Sequence, residues 1–187
     1  MRRLLLLAAL APLPAFATGL QIEVAGPGAN GTVLIDLFED TAPQHVAQIT
    51  ELAKRGAYDG VVFHRVIDGF MAQTGDVQFG KGEVTPQTGM GGSDLPDIPA
   101  EFSDRAFERG IVGMARSQDP NSANSQFFIM FEPGRFLDGQ YTVVGEVVSG
   151  MDVVDQITRG AGPNGSVTGE PDRMEAVTVL DEDPAAR

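Results

Sequence analysis

From Phe63 to Asp76 the chain reads Phe-His-Arg-Val-Ile-Asp-Gly-Phe-Met-Ala-Gln-Thr-Gly-Asp, placing a permanent cation, large apolar side chains and an amide along one largely apolar run. An arginine inside such a run is costly unless its guanidinium is paired or faces a ligand. The combination returns in Ser125-Gln126-Phe127-Phe128-Ile129-Met130, an amide beside aromatics, and in Phe136-Leu137-Asp138-Gly139-Gln140-Tyr141, which ends on a polar aromatic. If Val61 to Ile67 is one strand, alternation sends Val61, Phe63, Arg65 and Ile67 to one face and Val62, His64 and Val66 to the other. Met71 and Gln73 share a face of the next strand. Phe70 would point away from them, although Gly69 permits an irregular approach that brings its ring alongside. Gln126, Phe128 and Met130 also share a face, leaving Phe127 and Ile129 for an interior. An amide beside an aromatic on one face suits peptide binding, since the amide meets a backbone and the ring packs a side chain.

Other chemistries lack their residues. There is no cysteine, which removes thiol catalysis and disulfide exchange. The two histidines, His45 and His64, cannot build a multi-histidine or Cys/His metal site, and no metal is expected. No Gly-x-Ser-x-Gly elbow is present for a serine nucleophile. His64 lies beside Arg65 but on the opposite face, and reads as a hydrogen-bonded structural residue. The glycines at 80–92 do not follow a strand and open a helix, as a nucleotide loop requires. Asn30-Gly31-Thr32 and Asn164-Gly165-Ser166 match a glycosylation pattern and are better explained as turns.

The elements that must position these residues begin after a leader. Met1-Arg2-Arg3, the apolar run Leu4 to Leu10 and Ala15-Phe16-Ala17 form a basic, an apolar and a small-residue region in the order of a signal peptide, so residues 1–17 are expected to be removed on export to the periplasm. Pro12 and Pro14 interrupt a run far short of the roughly 20 residues a membrane span needs. Residues 18–187 then suit one domain. The formal charge of the full chain is −13 and becomes more negative when Arg2 and Arg3 go. So acidic a surface repels phosphate backbones and anionic headgroups, which argues against nucleic acid and, after cleavage, membrane partners.

Strands are predicted at Leu20 to Val24 and Thr32 to Phe38, joined by a turn at Gly26 to Gly31. A helix follows to about Arg55, with Thr41 as cap, Gln44 completing a capping box, Pro43 in the first turn, and Ala42, Val46, Ile49 and Ala53 on its apolar side. Residues 77–109 read as a long excursion with little regular structure. Short strands follow at 110–115, 126–130 and 142–148, then a helix from Met151 to about Ile157 and a last strand at Ala176 to Leu180. Many short strands with two helices favour a mainly β fold, a closed or nearly closed antiparallel barrel.

Phe-His-Arg at 63–65, Gly-Phe-Met-Ala-Gln at 69–73, Ser-Gln-Phe-Phe-Ile at 125–129 and Leu-Asp-Gly at 137–139 resemble the motifs of the cyclophilins, the prolyl cis/trans isomerases, and the resemblance runs from about Leu20 to Leu180. It implies a closed eight-stranded antiparallel β-barrel capped by two α-helices, with a peptide groove on its outer surface. By position, Arg65 is implied as the catalytic guanidinium. Phe70, Met71, Phe128 and Leu137 would form the proline pocket, Gln73 and Gln126 would bond the substrate backbone, and Ala115 with Arg116 would pair with it like an adjoining strand. The partners implied are proline-containing unfolded or flexible polypeptides, handled by a monomer without a cofactor. Phe136, Arg116 and Tyr141 depart from the best-known eukaryotic members, which have tryptophan, asparagine and histidine there. The loss of an indole donor at Phe136 predicts weak cyclosporin binding, while Tyr141 still donates a hydrogen bond and packs against proline.

The implied chemistry is physically coherent. Partial double-bond character gives the prolyl imide a rotation barrier of about 20 kcal/mol. A donor aimed at the prolyl nitrogen favours the twisted state, in which that nitrogen regains a lone pair, so Arg65 would act by binding the transition state selectively. A rival reading is a peptide-binding chaperone module with negligible turnover. It would be expected to keep the apolar pocket and lose the arginine or a glutamine, whereas Arg65, Gln73 and Gln126 are all present.

Overall fold

A computed structural model of the chain describes residues 18–181 and Pro184; the leader expected at residues 1–17 lies outside them. Strands β1 (Gly19–Ala25) and β2 (Gly31–Leu37) pair antiparallel through the predicted turn, with Leu20 opposite Ile35 and Ile22 opposite Val33. The turn is held from afar. Buried Asp172 accepts the backbone N–H of Gly28 and of Ala29, each at 2.9 Å, and that of Thr158 at 2.6 Å. Burial pushes this carboxyl up, but these N–H donors outweigh it and hold the group below its usual range.

Helix α1 (Pro43–Lys54) has Pro43 in its first turn and buries Val46, Ile49, Leu52 and Ala53 on the side that meets the C-terminal strand. Its cap differs from the expectation. Ala42 is the N-cap residue and makes no side-chain bond, while the Thr41 hydroxyl donates to Asp40 at 3.0 Å. The open N–H groups of Gln44 and His45 go instead to the Glu101 carboxylate, at 3.2 and 3.1 Å, where an anion also suits the positive end of the helix dipole. His45 Nδ1 lies 2.6 Å from the same carboxylate, and the ring is fully buried. Burial lowers the His45 pKa, and Glu101 opposes this only in part.

The remaining strands are β3 (Val61–Val62), β4 (Arg65–Ile67), β5 (Met71–Thr74), β6 (Ile111–Met114), β7 (Phe127–Met130), β8 (Val143–Ser149) and β9 (Arg173–Leu180). Helix α2 (Met151–Gln156) follows β8 and packs near β2. All strand pairs are antiparallel, in the order β3-β9-β1-β2-β8-β6-β7-β5-β4. The closed eight-stranded barrel is therefore corrected to a curled, open half-barrel with nine strands and two helices among the described residues.

The reason lies in the run predicted as one strand over 61–67. Val61 and Val62 pair with β9, and the Phe63 N–H still reaches Asp172 O at 2.9 Å. From His64 the backbone partner is Val167, and Arg65 to Ile67 pair with β5. The two halves thus belong to opposite edges of the sheet, joined by the chain through Phe63 and His64 and not by a ladder. The break also resets alternation. Val61, Phe63 and Val66 all enter the interior core, whereas Ile67 packs in a second apolar layer on the outer side.

That second layer contains Phe38, Met71, Phe107, Phe128, Met130 and Leu137. Phe127 and Ile129 point into the interior core, as alternation predicts. The excursion over 77–109 carries isolated bridges at Lys81 and Ile98 and otherwise no strand or helix. No helix among the described residues is long and apolar enough to cross a membrane.

Candidate active site

Register builds the site. Arg65 stands opposite Gln73 on β5, Gln73 opposite Phe128 on β7, and Phe128 opposite Gly113 on β6, so one row across four strands carries a cation, an amide, a ring and a residue without a side chain. Glycine is needed at 113 because a Cβ there would lie 2.6 Å from both the Phe107 and Phe128 rings. Those rings stack with centroids 5.8 Å apart, and Tyr141 meets Phe128 edge-on at 6.0 Å. Next to this row, Met71 pairs with Ile67 and with Met130.

A cavity of about 240 Å³ opens over the row. Arg65, Gln73 and Arg116 supply the polar side chains of its lining, beside Ala115. Phe70, Met71, Phe128, Phe136, Leu137 and Tyr141 line the rest. Gly69 adopts φ +66°, in the left-handed region, and this turn brings Phe70 to the cavity beside Met71 although the two are adjacent in the chain. Leu137 comes from a single 3-10 turn, Arg135–Leu137, whose Phe136 is 65 % exposed and lies against Phe70 at 5.4 Å between ring centroids.

The Arg65 guanidinium is held on two sides. Its Nε donates to Asn164 O at 3.0 Å and its Nη1 to Gln73 Oε1 at 3.1 Å. Partial burial lowers its pKa, with Tyr141 acting in the opposite sense, and an arginine so placed keeps its charge at any physiological pH. Arg116 covers the Tyr141 ring at 4.2 Å and donates to the carbonyls of Ser117 and Gln140, each at 2.9 Å. The arrangement offers a fixed, charged hydrogen-bond donor beside an apolar recess whose lining holds no serine, threonine, cysteine, histidine or carboxylate.

A chain whose residues 20–179 match the model of the cyclophilin-type peptidyl-prolyl cis-trans isomerases carries this geometry. The chain belongs to the cyclophilin family. It is 60 % identical over 153 residues to a probable peptidyl-prolyl cis-trans isomerase of Brucella suis, covering 80 % of this chain and 78 % of that one. Its fold is similar to that of the cyclophilin AquaCyp293 from Hirschia baltica, with a TM-score of 0.69 and 28 % identity over 86 % of this chain and 73 % of that one. It is also similar to that of a cyclophilin-type isomerase of Cryptosporidium parvum crystallised in the presence of the dipeptide Ala-Pro, with a TM-score of 0.74 and 24 % identity over 87 % of this chain and 98 % of that one.

Ten of the eleven site residues expected from the sequence line one cavity of this cyclophilin. Gln126 stands apart, in an adjoining cavity of about 350 Å³ that shares Gln73, Ala115 and Arg116 with the first. Its amide is engaged by the protein, donating to Gly89 O at 3.1 Å and Gly91 O at 2.8 Å and accepting from Gln73 Nε2 at 2.9 Å. Ala115 follows β6, and its N–H already donates to Gln126 O at 2.9 Å. Reading the sequence missed Gly89, Met90, Gly91, Ser122 and Asn124 in the second cavity, and Asn164 behind Arg65. The density of glycine at 89–92 was the available signal for Gly89, Met90 and Gly91. His64 is buried and its Nδ1 has no hydrogen-bond partner, but the ring also interacts with the Val62 backbone, in keeping with the hydrogen-bonded structural role expected of it.

Proposed function

We propose that this cyclophilin accelerates rotation about X-Pro bonds in proline-containing, unfolded or flexible polypeptides, with Arg65 as the catalytic residue. The observation that carries the reading is the pairing of a guanidinium fixed by Asn164 and Gln73 with an apolar recess floored by Met71 and Phe128. The recess holds the proline ring. Arg65 donates to the prolyl nitrogen as the imide twists and that nitrogen recovers its lone pair, and the donor is charged and already oriented, so little reorganisation accompanies the step. No proton is transferred and no cofactor is used. The Ala-Pro dipeptide in the name of the Cryptosporidium structure supports this substrate class by analogy.

Arg65→Ala and Arg65→Lys are each expected to lower kcat/KM for a proline tetrapeptide at least ~10-fold, equivalent to about 1.4 kcal/mol, because lysine cannot reproduce the planar fork. Turnover is read by a protease-coupled assay, alongside peptide affinity and the unfolding midpoint. Full turnover in Arg65→Ala would remove Arg65 from the catalytic role, whereas negligible turnover of the natural protein would leave the chaperone-module reading in its place. A collapse of stability together with turnover would make Arg65 a structural residue.

The clients are polypeptides of the periplasm, reached through the leader at residues 1–17, and the enzyme works there as a monomer. N-terminal sequencing of exported protein is expected to begin close to Thr18. Recovery of the intact chain from membranes alone would contradict export with cleavage.

A further inference from the structure

Hydrogen bonds connect the groove to the loop that follows β5, and every donor along them points away from the groove. Arg65 Nη1 donates to Gln73 Oε1 at 3.1 Å, Gln73 Nε2 to Gln126 Oε1 at 2.9 Å, and Gln126 Nε2 to the carbonyls of Gly89 and Gly91 at 3.1 and 2.8 Å. The N–H groups of those same two glycines donate to Asp76 Oδ2, at 2.7 and 3.1 Å. Asp76 Oδ1 accepts the N–H of Gln78 at 3.1 Å and of Phe79 at 2.8 Å. Asp76 is fully buried and lines neither cavity.

Polarity fixes the whole series from its buried end. A carbonyl only accepts, so Gln126 must turn its NH₂ toward Gly89 and Gly91 and its oxygen toward Gln73. Gln73 must then present its NH₂ to Gln126, which leaves its oxygen for the guanidinium. Reversing Gln73 would set its NH₂ against the guanidinium and release Arg65 from one of its two anchors, and reversing Gln126 would set its NH₂ against that of Gln73. The aligned bonds also polarise one another, so the carboxylate end strengthens the guanidinium end. Gly91 belongs to the device, since a Cβ there would lie 2.4 Å from Asp76 Oδ1.

We propose that Asp76 is a positioning residue for the isomerase reaction: by clamping Gly89 and Gly91 it sets the orientation of two glutamines and, through them, of Arg65. This rests on the reading of Arg65 as the catalytic donor. Because Asp76 acts through Arg65, its loss should lower turnover more than affinity, and should cost nothing further once Arg65 is gone.

The test measures kcat and KM for a proline tetrapeptide on the full chain, as wild type, Arg65→Ala, Asp76→Asn and the double variant. Asp76→Asn is expected to lower kcat about 5- to 10-fold with KM within about twofold, and the double variant to be no slower than Arg65→Ala alone. A wild-type kcat in Asp76→Asn, or losses that multiply in the double variant, would overturn the role of Asp76. If Asp76→Asn does not fold, Gly91→Ala, which keeps the carboxylate and displaces the clamp, takes its place in the same cycle with the same expected result. Full turnover in Arg65→Ala would remove the role of Arg65 itself. An inactive Arg65→Ala beside a fully active Asp76→Asn would remove only that of Asp76.

Discussion

Phe127 and Phe128 are neighbours on β7, both almost wholly buried, and they serve opposite sides of the sheet. Phe127 packs into the interior core, edge-on to Tyr58 at 5.7 Å between centroids. Phe128 stacks on Phe107 in the outer apolar layer and forms the floor of the cavity beside Arg65. Fractional burial does not separate them. What does is the space in front of each ring: protein for Phe127, an open recess for Phe128.

The largest expected effect breaks the interior side. Phe127→Ala should destabilise the protein by about 3–5 kcal/mol, because the void has no route to solvent and its lining relaxes only partly. Phe128→Ala should cost less stability, since its void joins the cavity, but should raise KM for a proline tetrapeptide. Denaturant midpoints and steady-state kinetics on both variants test the pair. Equal kinetic defects per folded molecule would erase the distinction.

The two sides should also respond differently to pH. Burial lowers the pKa of His45 and of His64 from the ordinary 6.5, so below that value the unfolded chain binds protons that the folded chain refuses. Stability should therefore be full above pH 6.5 and fall as pH drops toward the lowered folded values, by up to about 1.4 kcal/mol per unit for each histidine. Arg65 keeps its charge over this range. Unfolding midpoints should decline on acidification while kcat/KM of the folded enzyme stays nearly flat between about pH 5 and 8. A parallel fall in both would couple the interior to the groove.

Phe136→Trp should have the smallest effect, because Phe136 is exposed at the rim and belongs to neither apolar layer. It is expected to tighten cyclosporin binding while altering peptide turnover by less than about twofold. Tight binding by the natural protein, measured by inhibitor titration, would show that the indole donor is dispensable here.

How much could be read beforehand follows the range of the interactions. Alternation put Phe127 and Ile129 inside and Phe128 outside, and helical spacing put Val46, Ile49 and Ala53 on the buried side of α1, because burial imposes a local period. Family motifs then located Arg65 and the cavity lining. The cap of α1 was misread because Glu101 lies 57 positions from Gln44, and a polar contact at that distance leaves no period. Asp76 and Asp172 escaped for the same reason. Single buried carboxylates that gather backbone N–H groups from separate segments look, in sequence, like any other acidic residue in a turn. The split at Phe63–His64 escaped because continuous apolar character hides a change of partner strand.

That split has a further consequence for a protein proposed to handle unfolded chains. An open sheet exposes two edges, and a long bare edge recruits extended segments by strand addition, the first step toward aggregation. Here the edges are β3, two residues long, and β4, three residues long. Each is also occupied on its outer side, where Val62 N–H donates to Gly80 O at 2.8 Å and Val66 O accepts from Gly160 N–H at 2.9 Å. A stretched polypeptide arriving at either rim finds its pairing positions already taken, so an open half-barrel gains the resistance to edge-to-edge association that full closure gives other sheets.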